Sequence, residues 1–150
     1  MNLGHCVILE IIPTSLKDGD IIQLSALKLN DLILEDRFDY RLNYDLINNS
    51  DLVNMIGYDK ENFNYLNSTS DIIDNFKNWI GDCKLLIIDN SYTCNYLYDI
   101  DNEKESIFKY LGMSYSDDII DRIVKKYNLE SSNYIVDLLY EALIYESNNK

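Results

Sequence analysis

The chain has 150 residues, 47% of them hydrophobic, and a net charge of −13. That length suits a single domain, 1–150, able to bury a core without staples, and the hydrophobic content excludes a disordered segment. With 13 Lys plus Arg against 26 Asp plus Glu, direct nucleic-acid binding is disfavoured, because phosphate recognition draws on clustered cations. The one tight basic cluster, Arg122, Lys125 and Lys126, has helical spacing among acids and reads as a solvated helix face. An acidic surface suits metal cations or a protein partner with a basic surface. No window reaches about eighteen uninterrupted apolar residues, so no membrane span is expected. The stretch MNLGHCVILE has no basic run ahead of a long apolar one, so no signal peptide is expected. Cys6, Cys83 and Cys94 are odd in number and without paired spacing, which implies a reduced, cytoplasmic setting and buried thiols packed as small hydrophobes. The richness in Ile, Asn, Lys, Asp and Tyr is what AT-rich coding gives, as in a low-GC bacterium, its phage or another mobile element.

In chain order, His5–Ile12 is a nearly continuous apolar run with β-branched residues, the pattern of a strand buried on both faces. Lys17-Asp18-Gly19-Asp20 signals a turn, and Ile21–Leu29 alternates as a second strand. Asn30-Asp31 predicts a two-residue hairpin into a third strand beginning at Leu32–Leu34. Residues 36–55 fit no period. Ser70 predicts the cap of a helix over Asp71–Ile80, with Ile72, Ile73, Phe76, Trp79 and Ile80 on one face and Gly81 as its stop. Lys84–Ile88 reads as a short strand. Tyr92–Tyr98, Glu103–Leu111 and Asp117–Tyr127 read as helices. Ser131 or Ser132 would cap a last helix carrying Ile135, Leu138, Leu139 and Ala142 at i, i+3, i+4 and i+7. The tyrosine pairs Tyr40 with Tyr44 and Tyr92 with Tyr96 stand at i, i+4, candidates for an exposed aromatic patch. A meander followed by helices and a further strand predicts an α/β domain around one mixed β-sheet, its antiparallel N-terminal meander flanked by helices.

Several strings lie in the order of one family's motifs. LEIIPTSL sits where that family has a D-x-E-T-T-G-L-like turn, and GDIIQLSALKL follows it closely. Met55-Ile56-Gly57-Tyr58, then IIDNFKNWIGDCKLLIIDNSYTCNYL, and finally SSNYIVDLLYEALIYE match the later segments. In these features the chain resembles the DEDDh-type 3′–5′ exonucleases, proofreading-exonuclease-like proteins of the ribonuclease H-like fold. The resemblance covers nearly the whole chain and is specific in order and spacing rather than in any single string.

The resemblance implies an α/β ribonuclease H-like exonuclease fold. It also implies a chemistry in which two divalent cations about 3.5–4 Å apart clamp the attacking and leaving oxygens of a phosphodiester. Such ions want convergent carboxylates, and a histidine beside the last acid serves as general base. Carried over position by position, the first acid falls on Glu10 and the second on Ile12, which cannot bind a metal. The turn threonine and glycine become Pro13 and Ser15, with Thr14 and Leu16 kept. The third segment has Asp89 for histidine, Asn90 kept, Thr93 for phenylalanine and Cys94 for the third acid. In the fourth, Asp137 keeps the acid, Ser132 replaces the histidine and Tyr134 the alanine. His5 lies outside every matched position and reads as a strand-end histidine. Glu10 and Asp137 are the two family acids that remain, and a residual site there would take Mg²⁺ or Mn²⁺. Asp89 is a substitute ligand, and Cys94 suits a softer ion such as zinc. Apart from the family match, Glu10 is a polar residue at a strand end and Asp137 a first-turn acid favoured by the helix dipole.

Three functions are therefore expected in this order. The first is a catalytically inactive exonuclease-like domain, a pseudoenzyme that binds protein and needs no cofactor. The second is an acidic inhibitor or nucleic-acid mimic from a phage or mobile element, blocking a basic host or defence protein. The third is a metal-dependent 3′–5′ exonuclease with a rearranged site.

Overall fold

The computed structural model of the chain describes residues 3–13, 21–41, 69–130 and 134–149. The predicted turn at 17–20, residues 42–58, Thr14, Ser15, Leu16, Ser131 and Ser132 lie outside them. Five strands form one mixed sheet: β1 (His5–Pro13), β2 (Ile21–Asn30), β3 (Ile33–Arg41), β4 (Lys84–Ile87) and β5 (Lys104–Ser106), in the order β3-β2-β1-β4-β5. The helices are α1 (Thr69–Ile80), α2 (Ser91–Tyr96), α3 (Phe108–Leu111), α4 (Ile119–Tyr127) and α5 (Ile135–Asn148).

The apolar run of β1 explains its central place. It pairs antiparallel with β2 and parallel with β4, and its residues from Cys6 to Ile11 are buried whichever face they point to. Period-two alternation then divides the core in two. Val7, Leu9 and Ile11 of β1 join Leu24, Ala26 and Phe38 beneath α1, which contributes Ile72, Phe76 and Ile80. Cys6 and Ile8 join Leu27 and Leu29 beneath α5, which contributes Val136, Leu139, Ala142 and Leu143. Each fully buried Val, Leu, Ile or Phe among them stabilises the fold by about 1.5–3 kcal/mol. The result is helix on sheet on helix, the mixed α/β architecture expected from the sequence.

The hairpin turn falls one residue later than predicted. Asp31 and Leu32 are its central residues, with φ of 49° and 70°, the left-handed values that a type I′ turn requires. The Asp31 carboxylate accepts the Gly4 N–H at 2.8 Å, and the Asp31 N–H donates to the Gly4 carbonyl. Leucine is a poor residue for positive φ. Here burial of its side chain against the α5 layer, and a hydrogen bond from the Tyr140 hydroxyl to its carbonyl, offset the strain.

Helix α1 follows its predicted apolar face and stops at Gly81, whose φ is +54°. It begins at Thr69, so Ser70 lies inside the helix and is not its cap. The predicted helix over Glu103–Leu111 is mostly wrong. Lys104–Ser106 is instead the short strand β5, and only Phe108–Leu111 is helical. β5 pairs in parallel with β4, Leu85 opposite Lys104 and Ile87 opposite Ser106, so the open edge of β4 overrides the local helical preference. Glu105 then sits among Lys84, Lys109 and the Tyr110 hydroxyl. Helices α4 and α2 are shorter than predicted, and α5 starts at Ile135. Tyr40 lies on a strand, so its i, i+4 pairing with Tyr44 does not describe a helix; its ring packs on Phe38, centroids 4.3 Å apart. Arg122, Lys125 and Lys126 are exposed on α4 as expected, Lys126 bonding the Leu111 carbonyl. Among the described residues no helix is long and apolar enough to cross a membrane.

Candidate functional site

Alternation along β1 puts Glu10 and Ile12 on the same face as Ile8, toward α5. Glu10 stands opposite Ser25, and Ile12 opposite Gln23, on β2. Ser25 stands in turn opposite Asp39 on β3. Glu10, Ser25 and Asp39 thus stand in a row across three strands, with hydrogen bonds joining β2 to β3. The Gln23 amide nitrogen donates to the Ser25 hydroxyl at 3.0 Å, and Ser25 donates to an Asp39 carboxylate oxygen at 2.9 Å. Gln23 and Ser25 are fully buried, and the Gln23 amide oxygen has no hydrogen-bond partner among the described residues.

Glu10 is 5% exposed. Burial, and then the Asp39 carboxylate, push its carboxyl up to about 8. Both causes oppose a negative charge at this point and favour the protonated form. The next position of this face, Ile12, is half-buried and has no donor atom to give a metal.

Asp137 lies in the first turn of α5, where the helix dipole favours an acid. Its carboxylate is in contact with the Arg37 guanidinium from β3, 100 residues away in the chain. Asp89 follows β4, is exposed, and accepts a hydrogen bond from the Ser106 hydroxyl at 2.9 Å. Asn90 is buried and caps α2, its side-chain oxygen accepting the Thr93 N–H at 3.0 Å. Cys94 is exposed on α2, against the expectation of three buried thiols; only Cys6 and Cys83 are buried. The helix turns Cys94 outward while Thr93, beside it, takes the inward position. His5 is at the opposite end of β1 from Glu10, five residues or about 16 Å away along the strand, and lies 3.7 Å from Glu35.

A two-metal centre requires ionised carboxylates converging on one point. The donors here do not fit that requirement. Glu10 is buried with its carboxyl pushed upward, Ile12 is apolar, Cys94 faces solvent, and Asp137 is engaged by a permanent cation. Among the described residues no group of three or more His, Cys, Asp and Glu side chains is placed to hold a metal ion. Sequence reasoning missed Gln23, Ser25, Arg37 and Asp39. The alternation of IIQLSALKL does mark Gln23 and Ser25 as polar residues on the face of Leu27 and Leu29. Arg37 and Asp39 lie in the stretch for which no period was legible.

A separate groove of about 700 Å³ runs between β3 and α1, lined by Asp36, Phe38, Asp39, Tyr40, Asn75 and Trp79 among others. At its end the Trp79 indole N–H donates to Asp36 at 2.8 Å, and the Lys28 ammonium lies 4.5 Å over the indole ring.

The architecture defines an α/β protein of the ribonuclease H-like exonuclease fold. No protein-family model and no curated protein sequence matches the chain. Solved structures do match. Exonuclease X in complex with 5′ overhanging duplex DNA superposes with a TM-score of 0.66 at 13% identity, over 97% of this chain and 92% of that one. Exonuclease I (apo) superposes with a TM-score of 0.66 at 9% identity, over 99% of this chain and 43% of that one. A 3′-exonuclease recognising the 3′ end of a histone mRNA stem-loop gives 0.59 at 14% identity, over 98% and 80%. At these identities the likeness is one of fold.

Proposed function

We propose that this chain is an exonuclease-like domain that has lost metal-dependent catalysis and serves as a protein-binding module. The observation that carries the reading is the donor set: Ile12 is apolar, Glu10 is buried with its carboxyl pushed upward, and Asp137 is paired with Arg37. Hard divalent cations want several convergent carboxylate oxygens, which this set does not offer. The charge of −13 favours a partner with a basic surface over nucleic acid. That exonuclease X was captured on DNA and a 3′-exonuclease on RNA keeps nucleic-acid binding as the comparison to make.

The test is cleavage of labelled single-stranded DNA and RNA in Mg²⁺ and in Mn²⁺, beside calorimetric titration of each ion. No cleavage and no binding heat is the expected result. Metal-dependent cleavage abolished by Asp137→Ala would replace the reading with an active exonuclease using Glu10, Asp137 and Asp89. The same charge supports an acidic inhibitor that occupies a basic groove. Its distinguishing mark is partner binding that weakens steeply with salt.

A further inference from the structure

We propose that the groove between β3 and α1 binds an extended, basic segment of a partner protein, which adds to the sheet as a further strand beside β3. The inference rests on the protein-binding reading and deepens it by naming the surface and the chemistry of the partner. β3 ends the sheet, and among the described residues no strand pairs with its outer edge. Such an edge presents N–H and C=O groups on alternate residues, a template for another strand. Five consecutive residues of β3, 36–40, line the groove, with Asn75, Asn78 and Trp79 of α1 on its other wall. Consecutive strand side chains point to opposite faces, so a groove that touches all five follows the backbone edge rather than one face. β3 pairs with β2 in regular register over this stretch, which leaves the edge straight enough to be copied.

Asp36, Phe38 and Tyr40 share the face toward α1, and the Phe38 and Trp79 rings lie 5.3 Å apart. An incoming strand would set an apolar side chain against these rings and a cation beside Asp36. Ile33 and Leu34, 70% and 45% exposed, continue the apolar surface along the same strand. Charge selects the occupant. β3 has no Lys or Pro to blunt its edge; its charges are Glu35, Asp36 and Asp39 against two arginines, of which Arg37 is held by Asp137. Lys28, the cation nearest the indole, donates to the Trp79 carbonyl. Hydrogen bonds from the Trp79 indole and the Arg37 N–H hold the Asp36 carboxyl below the usual carboxylate range, and a carboxylate has lone pairs left for a further donor. A second copy of the chain would bring a charge of −13 against its own kind. A basic segment meets no such opposition.

The test titrates the full chain with a blocked peptide, threonine-lysine-threonine-valine-threonine-lysine-threonine, whose one face reads lysine, valine, lysine in either direction along β3. Binding should shift the emission of Trp79, the only tryptophan, to shorter wavelength. Hydrogen exchange of the β3 amides should slow about tenfold when the peptide stands at about ten times its Kd. The same peptide N-methylated on neighbouring central residues, which blocks both of its edges, should not bind, nor should its glutamate counterpart. Asp36→Lys should weaken binding about tenfold and Asp36→Asn about threefold. Asp101→Lys makes the same charge change beside β5, at the far edge of the sheet, and should bind as wild type does. Silence at Trp79, equal binding of the methylated or the acidic peptide, or equal loss in Asp36→Lys and Asp101→Lys each overturns the proposal. So does a chain that dimerises through this edge in sedimentation and excludes the peptide. Should Asp36→Lys fail to fold, Asp36→Asn and the peptide controls decide the matter. No peptide binding with no cleavage rejects this surface and leaves the pseudoenzyme reading standing. No peptide binding with nucleic-acid cleavage in Mn²⁺ rejects both.

Discussion

Replacing Glu10 by glutamine should change how stability depends on pH, in a direction that the burial of this side chain fixes. In the folded chain Glu10 keeps its proton up to about pH 8, while in the unfolded chain it titrates near the ordinary 4.5. Between those values the folded state binds more protons than the unfolded one, so stability falls as pH rises. The contribution is whole below the unfolded value and is lost by the time pH passes the folded one. From about pH 5.5 to about pH 8 the loss is on the order of 3 kcal/mol. Glutamine has the size and donor capacity of the protonated acid and cannot ionise. The stability of Glu10→Gln relative to wild type should therefore grow by about 3 kcal/mol across the same window. The assay is urea unfolding at matched ionic strength, followed by the fluorescence of Trp79, the only tryptophan. Taking the difference between the two proteins cancels the titration of the other acids. Parallel stability curves for the two proteins would show that Glu10 ionises as an ordinary carboxylate, and the argument from burial would fail. Asp39→Asn removes the second cause and should move the wild-type midpoint to lower pH.

Other outcomes follow from the same structure. A thiol reagent should label Cys94 quickly in the native protein and reach Cys6 and Cys83 only on unfolding, since these two are buried and burial pushes the Cys6 thiol up to about 11; mass spectrometry of the labelled peptides checks it. Phe76→Ala should cost about 3–5 kcal/mol by chemical denaturation, because Phe76 is fully buried and packs edge-on against Phe38 at 5.4 Å. Asp137→Asn should cost less than about 1 kcal/mol in the same assay, as the pair it breaks is partly exposed and screened by water. Gln23→Met should change stability by no more than about 1 kcal/mol, because it trades one hydrogen bond for relief of a buried amide oxygen that has no partner among the described residues.

The sequence by itself determined the parts of this protein whose signal is local. The apolar run of β1, the alternation of β2 and the three-four spacing of α1 and α5 each state how many faces an element buries. Those facts led to a central strand, a meander and covering helices. The order of the motif-like strings led further, to the ribonuclease H-like fold that the superpositions bear out. Local pattern misled at β5, where three residues are too few to carry a period and only the open edge of β4 makes them a strand. It misplaced the hairpin by one residue because Leu32 is held at positive φ by its burial, a tertiary effect.

The chemistry of the candidate site was legible only in outline. Substitutions at Ile12, Cys94 and Ser132 are visible in the letters, and so is the survival of Glu10 and Asp137. Their states are not. Burial and the nearby Asp39 carboxylate push the Glu10 carboxyl up, and Asp137 is paired because β3 carries Arg37 to a helix 100 residues away. Charge state depends on desolvation and on neighbours in space, and those exist only once the sheet has formed.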